Sequence, residues 1–136
     1  MSAGVELFCV PPDQIEIAWP EIERHISRVE DIDPQDVKAD LLSCKAQAWG
    51  LRDSHVLGFW ITRVELRRGR KYGVVWACAG DLIKAGLIDT YRSVVEPWFW
   101  SEGCEWIEIH GRKGWKKLIP DYCERSVVLE KRRVPA

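Results

Sequence analysis

The sequence has no long apolar run, no internal repeat and no low-complexity tract. These absences leave nothing to span a bilayer, nothing to stack as a solenoid and no domain linker. The 136 residues therefore read as one domain, 1–136. There is also no C-x-x-C pair and no Cys/His cluster. The five cysteines (Cys9, Cys44, Cys78, Cys104, Cys123) are widely spaced and odd in number, so a zinc site is not indicated and no metal is expected. No signal peptide is recognisable, and the chain is expected in the cytoplasm with reduced thiols, most of them small core residues. A strong net charge is missing too: 20 Lys and Arg against 21 Asp and Glu leave −1, which makes a nucleic-acid partner unlikely.

What the chain does contain is ordinary for a folded domain: 46% apolar and 30% charged residues. The charge is polarised. Residues 1–58 carry eleven acids and five bases, while residues 59–136 carry ten acids and fifteen bases. Such a surface suits an anionic ligand or an acidic protein partner. Eight tryptophans are many for this length; they fill a core or form an aromatic interface.

Periodicity orders the elements. "VELFCV" reads as a first strand. Ile15, Trp19, Ile22, Ile26 and Val29 then recur at helical spacing, with Pro20 expected to start a new helix or kink the old one. "DIDPQDVKADLLSC" opens a second helix, with Asp33 as N-cap and Pro34 at the first helical position. Strands follow at 46–51, 56–66 and 72–79, the last two joined by a "RRGRK" hairpin tip. Its cations, Arg67, Arg68, Arg70 and Lys71, either grip phosphate or keep an exposed tip soluble. A helix with Leu87, Tyr91, Val94, Val95 and Trp98 on one face is expected to end at Gly103, with an irregularity at Pro97. "EWIEIHG" alternates as a strand, "GWKKLIPDYC" reads as a short helix, and "RSVVLEKRRV" as a last strand. A mixed, mostly antiparallel α/β sheet with helices on both faces is the natural packing solution.

That order, with "WPEIERHI", "DVKADLLSCKAQAW", "LGFWITRVEL", "SEGCEWIEIHGRKGWKKLIPDYC" and a final "SVVLEKRR", resembles the GNAT superfamily of acyl-CoA-dependent N-acetyltransferases. More narrowly it is similar to the small GNAT-like proteins of tailed phages and prophages. The resemblance implies a twisted sheet whose fourth and fifth strands splay around acetyl-CoA. Strand-edge amides near Ala77, Cys78 and Gly80 would hold the thioester arm, with Arg112 as an anion partner. Active members place a glycine-rich loop after the fourth strand to hold pyrophosphate. Here that stretch, "ACAGDLIKAGLID", keeps Gly80 and Gly86 but lacks the basic-x-x-Gly-x-Gly pattern and adds Asp81. Ile119 stands where the family often carries a general-acid tyrosine, Tyr122 lies nearby, and Cys123-Glu124 replace the usual Gly-Phe.

Several side chains have two readings. Glu65 could be a general base, or the solvent-facing member of an alternating hairpin. Tyr122 could supply a proton, or close a turn. Arg112 and Lys113 could bind an anion or stay solvated, and Trp115 could line a pocket or pack under a helix. His110, at a strand end where open α/β sheets bind ligands, could shuttle a proton or be a partly exposed structural histidine. Cys78 lacks assignable partners for a nucleophile. Two functions follow. One is a phage-type protein with a degenerate acyl-CoA site that binds other proteins, in a virion or against a host. The other is an active acyl-CoA-dependent N-acetyltransferase of an unknown amine.

Overall fold

The computed structural model describes residues 5–29, 32–80, 87–110, 119–125 and 129–133. A short strand β1 (Glu6–Cys9) leads through a single 3₁₀ turn into helix α1 (Ile15–Ile26). Helix α2 (Pro34–Leu42) follows, then β2 (Ala46–Arg52), β3 (Val56–Arg67) and β4 (Arg70–Gly80). Helix α3 (Leu87–Thr90) runs through a π turn (Tyr91–Val95) into α4 (Glu96–Ser101), and β5 (Ile107–Ile109) completes the sheet. The five strands lie in sequence order, antiparallel throughout except for the parallel pair β4–β5. Residues 129–133, expected within a last strand, form none.

Local chemistry explains most boundaries. Asp33 caps α2, its Oδ1 accepting the Gln35 N–H at 2.9 Å, and Pro34 starts the helix where no N–H is missed. The β3–β4 hairpin turns on Arg68 and Gly69, both with positive φ (53° and 77°), the conformation that matches the twist of the flanking strands. Gly103, at φ 85°, ends α4.

Pro20 starts no new helix, for α1 is one helix running through it. The proline is exposed, so the carbonyl it leaves unbonded can face water, while Ile15, Trp19, Ile22 and Ile26 keep their buried stripe. Pro97 acts more strongly. The chain widens to a π turn just before it, closed by the Glu96 N–H donating to the Tyr91 carbonyl.

Helices cover both faces of the sheet. Ile15, Trp19, Ile22 and Ile26 of α1 and Val37 and Leu41 of α2 pack on Ala48, Phe59, Ile61 and Ala77. On the opposite face Tyr91, Val95 and Phe99 pack on Trp49, Leu51, Trp60 and Val75. Alternation sends neighbouring strand residues to opposite sides, so two cores form from one sheet. Thr62, fully buried, donates to Gln47 Oε1 and accepts the Trp49 indole N–H, both at 2.9 Å, so neither buried group is left unpaired.

Candidate functional site: the fork between β4 and β5

The register between β3 and β4 slips by one residue. Ile61 faces Ala77 and Thr62 faces Val75, so Trp76 is an extra residue, a β-bulge. Its effect shows in the packing. Val75 joins the α3/α4 core, Trp76 and Ala77 both lie with the α1/α2 core, and Cys78 returns to the α3/α4 side. Beyond the bulge the side-chain alternation of β4 is therefore inverted.

The bulge also marks where β5 leaves. Ile107, Glu108 and Ile109 pair with Gly73, Val74 and Val75, and the His110 N–H donates to the Val75 carbonyl at 3.3 Å. β4 continues for five more residues to Gly80, still paired with β3 as far as Gly58. Among the described residues, Trp76–Gly80 have no strand partner on the β5 side. Among the described residues the sheet thus forks here, with a length of β4 edge whose backbone groups have no strand partner.

Three candidates from the sequence, Ala77, Cys78 and Gly80, lie on this edge. Ala77 is buried against α1 and α2. Cys78 is partly buried beside the second core, and burial pushes its thiol up to about 12, against a smaller pull from the Trp60 indole N–H. At neutral pH it is a thiol, unsuited to nucleophilic attack. Apart from its approach to that sulfur, Trp60 Nε1 is buried without a hydrogen-bond partner among the described residues. Arg112, Lys113 and Trp115 lie outside the described residues.

Glu65 sits away from the fork. It pairs with Tyr72 in the ladder, three residues and about 10 Å from the last β4–β5 rung. The Tyr72 hydroxyl donates to Glu65 Oε2 at 3.1 Å, and Arg63 Nη2 lies 3.5 Å from Oε1. Arg63 also stands 3.5 Å from Asp40 of α2, and its guanidinium stacks on Trp76 at 4.1 Å from the ring centre.

Tyr122 is on the other side of the sheet, against the α3/α4 core. Its hydroxyl donates to Glu96 Oε2 at 2.5 Å, and because a hydroxyl has one hydrogen, the Tyr91 hydroxyl is the donor in the 2.8 Å contact between the two phenols. Burial first, then the neighbouring phenol and carboxylate, hold Tyr122 far above the usual phenol range. Arg92 pairs with Asp121 through both nitrogens, one contact at 3.0 Å, which fixes this turn to the helix.

The sequence reading missed Glu108. Ile107 and Ile109 pack into the α3/α4 core, so Glu108 and His110 project from the opposite face of β5. Glu108 Oε2 accepts from the Trp106 indole N–H and from Arg67 Nη1, both at 2.9 Å, and Oε1 lies 3.0 Å from His110 Nε2. Burial alone would raise this carboxyl, but hydrogen bonds from His110, Trp106 and Arg67 outweigh it and bring the group down to about 2. The available signal was the i, i+2 spacing of Glu108 and His110 on one strand face. Arg67, Arg70 and Lys71 of the hairpin tip are all engaged here: Arg67 with Glu108, Arg70 with Glu105 at 3.0 Å, and Lys71 Nζ with the Glu102 carbonyl at 2.8 Å.

Among the described residues no group of three or more His, Cys, Asp or Glu side chains is placed to hold a metal. No helix there is long and apolar enough to cross a membrane.

No protein-family model matches the sequence, and no curated protein matches it. Solved structures do match the fold. An aminoglycoside acetyltransferase, meta-AAC0020 from an uncultured soil metagenomic sample, aligns over 98% of this chain and 99% of its own, with a TM-score of 0.73 at 10% identity. This chain has the GNAT fold. The ribosomal-protein-alanine N-acetyltransferase of Brucella melitensis biovar Abortus 2308 aligns over 97% of this GNAT-fold chain and 100% of its own, with a TM-score of 0.65 at 14% identity. The aminoglycoside 6'-N-acetyltransferase AAC(6')-Ih of Acinetobacter baumannii aligns over the same shares, with a TM-score of 0.67 at 10% identity. At such identities the likeness is one of fold, and a fold does not fix a substrate.

Proposed function

We propose that the protein is an acyl-CoA-dependent N-acyltransferase that takes its donor, acetyl-CoA, in the fork between β4 and β5. The observation that carries this reading is the edge of β4 from Trp76 to Gly80, five residues beyond the last rung with β5 and without a strand partner on that side among the described residues. Unpaired strand amides and carbonyls suit the amide-rich arm of such a thioester, which can extend the sheet as a strand would. Small residues at Ala77, Ala79 and Gly80 let a ligand come close to the backbone. The donor brings an activated acyl carbonyl. The chain's own part is to hold it along β4 and to take a proton from the attacking amine. Arg112, three residues past β5 in the sequence, is a further candidate for the anionic end of the donor.

A second reading, a phage-type protein that keeps the fold but acts by binding other proteins in a virion or a host, is favoured by two observations. The Tyr122 hydroxyl, the sequence's candidate acid, is directed to Glu96 on the α3/α4 side, and the pyrophosphate loop pattern is absent from the sequence. Isothermal calorimetry with acetyl-CoA separates the two. Heat that disappears in Gly80→Asp supports the acyltransferase, whereas no heat at high protein concentration leaves the binding protein.

A further inference from the structure

We propose that His110 is the general base of the acyl transfer, oriented by Glu108; the assignment rests on the N-acyltransferase reading above. Three features place it. His110 is, among the described residues, the last beyond β5 bonded to β4, at the point where the strands part, so its side chain stands at the mouth of the fork. It is accessible, with 54% of the side chain exposed, so an incoming amine can reach it. Its Nε2 faces Glu108 Oε1 at 3.0 Å.

The partner decides the tautomer. Glu108 already accepts from Trp106 Nε1 and Arg67 Nη1 and is an ionised acceptor, so the hydrogen of the His110 pair must sit on Nε2. In the neutral ring that leaves the lone pair on Nδ1, which has no partner among the described residues, to take a proton. A carboxylate that fixes an imidazole in this way both selects the basic nitrogen and stabilises the imidazolium that forms. Glu108 is therefore a positioning residue, and Arg67 and Trp106 hold it in turn. Among the described residues, the charged groups joined to His110 are Glu108 on its own strand and, through that carboxylate, Arg67 of β3; on β4 its backbone N–H donates to the uncharged Val75 carbonyl.

The step balances without a further reactant. The acceptor amine reacts in its neutral form, its ammonium proton having gone to water. Its lone pair forms the new C–N bond at the thioester carbonyl, His110 Nδ1 takes the proton that nitrogen then sheds, and the C–S bond breaks with its electron pair leaving on sulfur. The imidazolium returns the proton to the thiolate, giving an amide and free CoA thiol.

Two measurements test this. The first needs no donor: ¹⁵N NMR of the imidazoles in the unliganded protein should show neutral His110 with its hydrogen on Nε2, and a mixture of tautomers in Glu108→Ala. A neutral ring protonated mainly on Nδ1 overturns the assignment. The second follows CoA thiol release from acetyl-CoA with a panel of peptides bearing α- and lysine amines. His110→Gln, which can still donate to Glu108, should lower kcat by about 10²-fold or more and abolish its acid limb, with the calorimetric Kd for acetyl-CoA unchanged. An unchanged kcat in an active protein overturns the role of His110 alone, and donor binding without transfer to any amine of the panel also counts against it. Absence of both binding and transfer in the wild type overturns the N-acyltransferase reading itself.

Discussion

Replacing Glu108 by Gln removes one charge from the anchor of β5 and leaves its shape. The carboxyl is held at about 2 in the folded chain against an ordinary value of 4.5. At roughly 1.4 kcal/mol per decade, that difference is worth about 3 kcal/mol where the group is ionised in both states. The sign follows from a depressed folded value. The contribution is complete above pH 4.5, falls as the pH drops from there towards 2, and is absent below. Only 22% of the side chain is exposed, so solvent screens the interaction little. Glutamine still accepts one hydrogen bond, and the expected loss at pH 7 is about 2–3 kcal/mol. Urea denaturation of both proteins at pH 7, 4 and 2.5 measures the gap between them, which cancels the titration of every other carboxylate. The gap should be largest at pH 7 and nearly closed at pH 2.5. A gap below about 0.5 kcal/mol at pH 7, or one that stays constant as the pH falls, would refute the claim that an ionised Glu108 holds the strand.

Two further substitutions probe the supports of the fork. In Gly73→Ala the new Cβ would meet Phe99 ring carbons at 2.3, 2.5 and 2.8 Å, and Phe99 is fully buried. A loss of about 2 kcal/mol or more is expected in the urea midpoint, partly recovered when Phe99→Leu is added, and strictly additive losses would contradict the clash. Cys44 sits just past α2 at φ 65°, with the Lys45 N–H donating to the Asp40 carbonyl at 2.8 Å. Glycine is favoured at that position, so Cys44→Gly should stabilise the protein by about 1 kcal/mol in the same assay, and destabilisation would contradict the strain.

The frame of this fold was legible where one residue decides locally. Asp33-Pro34 fixed the start of α2, Gly69 the hairpin, Gly103 the end of α4, and β-branched and aromatic content the strands β3 and β4. Pro20 left two readings, a new helix or a kink; no new helix starts there, and the exposed site that lets the freed carbonyl face water is not written in a local pattern. The bulge at Trp76 was invisible for a related reason. "GVVWACA" is apolar on both faces, so a slip of one residue leaves the pattern unchanged even though it opens the fork. The Glu108 site joins Arg67 to a residue 41 positions away, and no spacing rule connects two strands separated by a helix. Ala77, Cys78 and Gly80 were named through the family resemblance, as was Tyr122, which packs against the α3/α4 core with Cys78, whereas Glu65 was chosen by residue type and pairs with Tyr72.

The most direct measurement is an amide NMR titration of the wild-type protein with acetyl-CoA. The account predicts saturable shifts concentrated in the backbone of Trp76–Gly80 and at His110, with the far strand β1 unaffected. Saturating donor that leaves those amides unmoved, or shifts only residues distant from the fork, would contradict it.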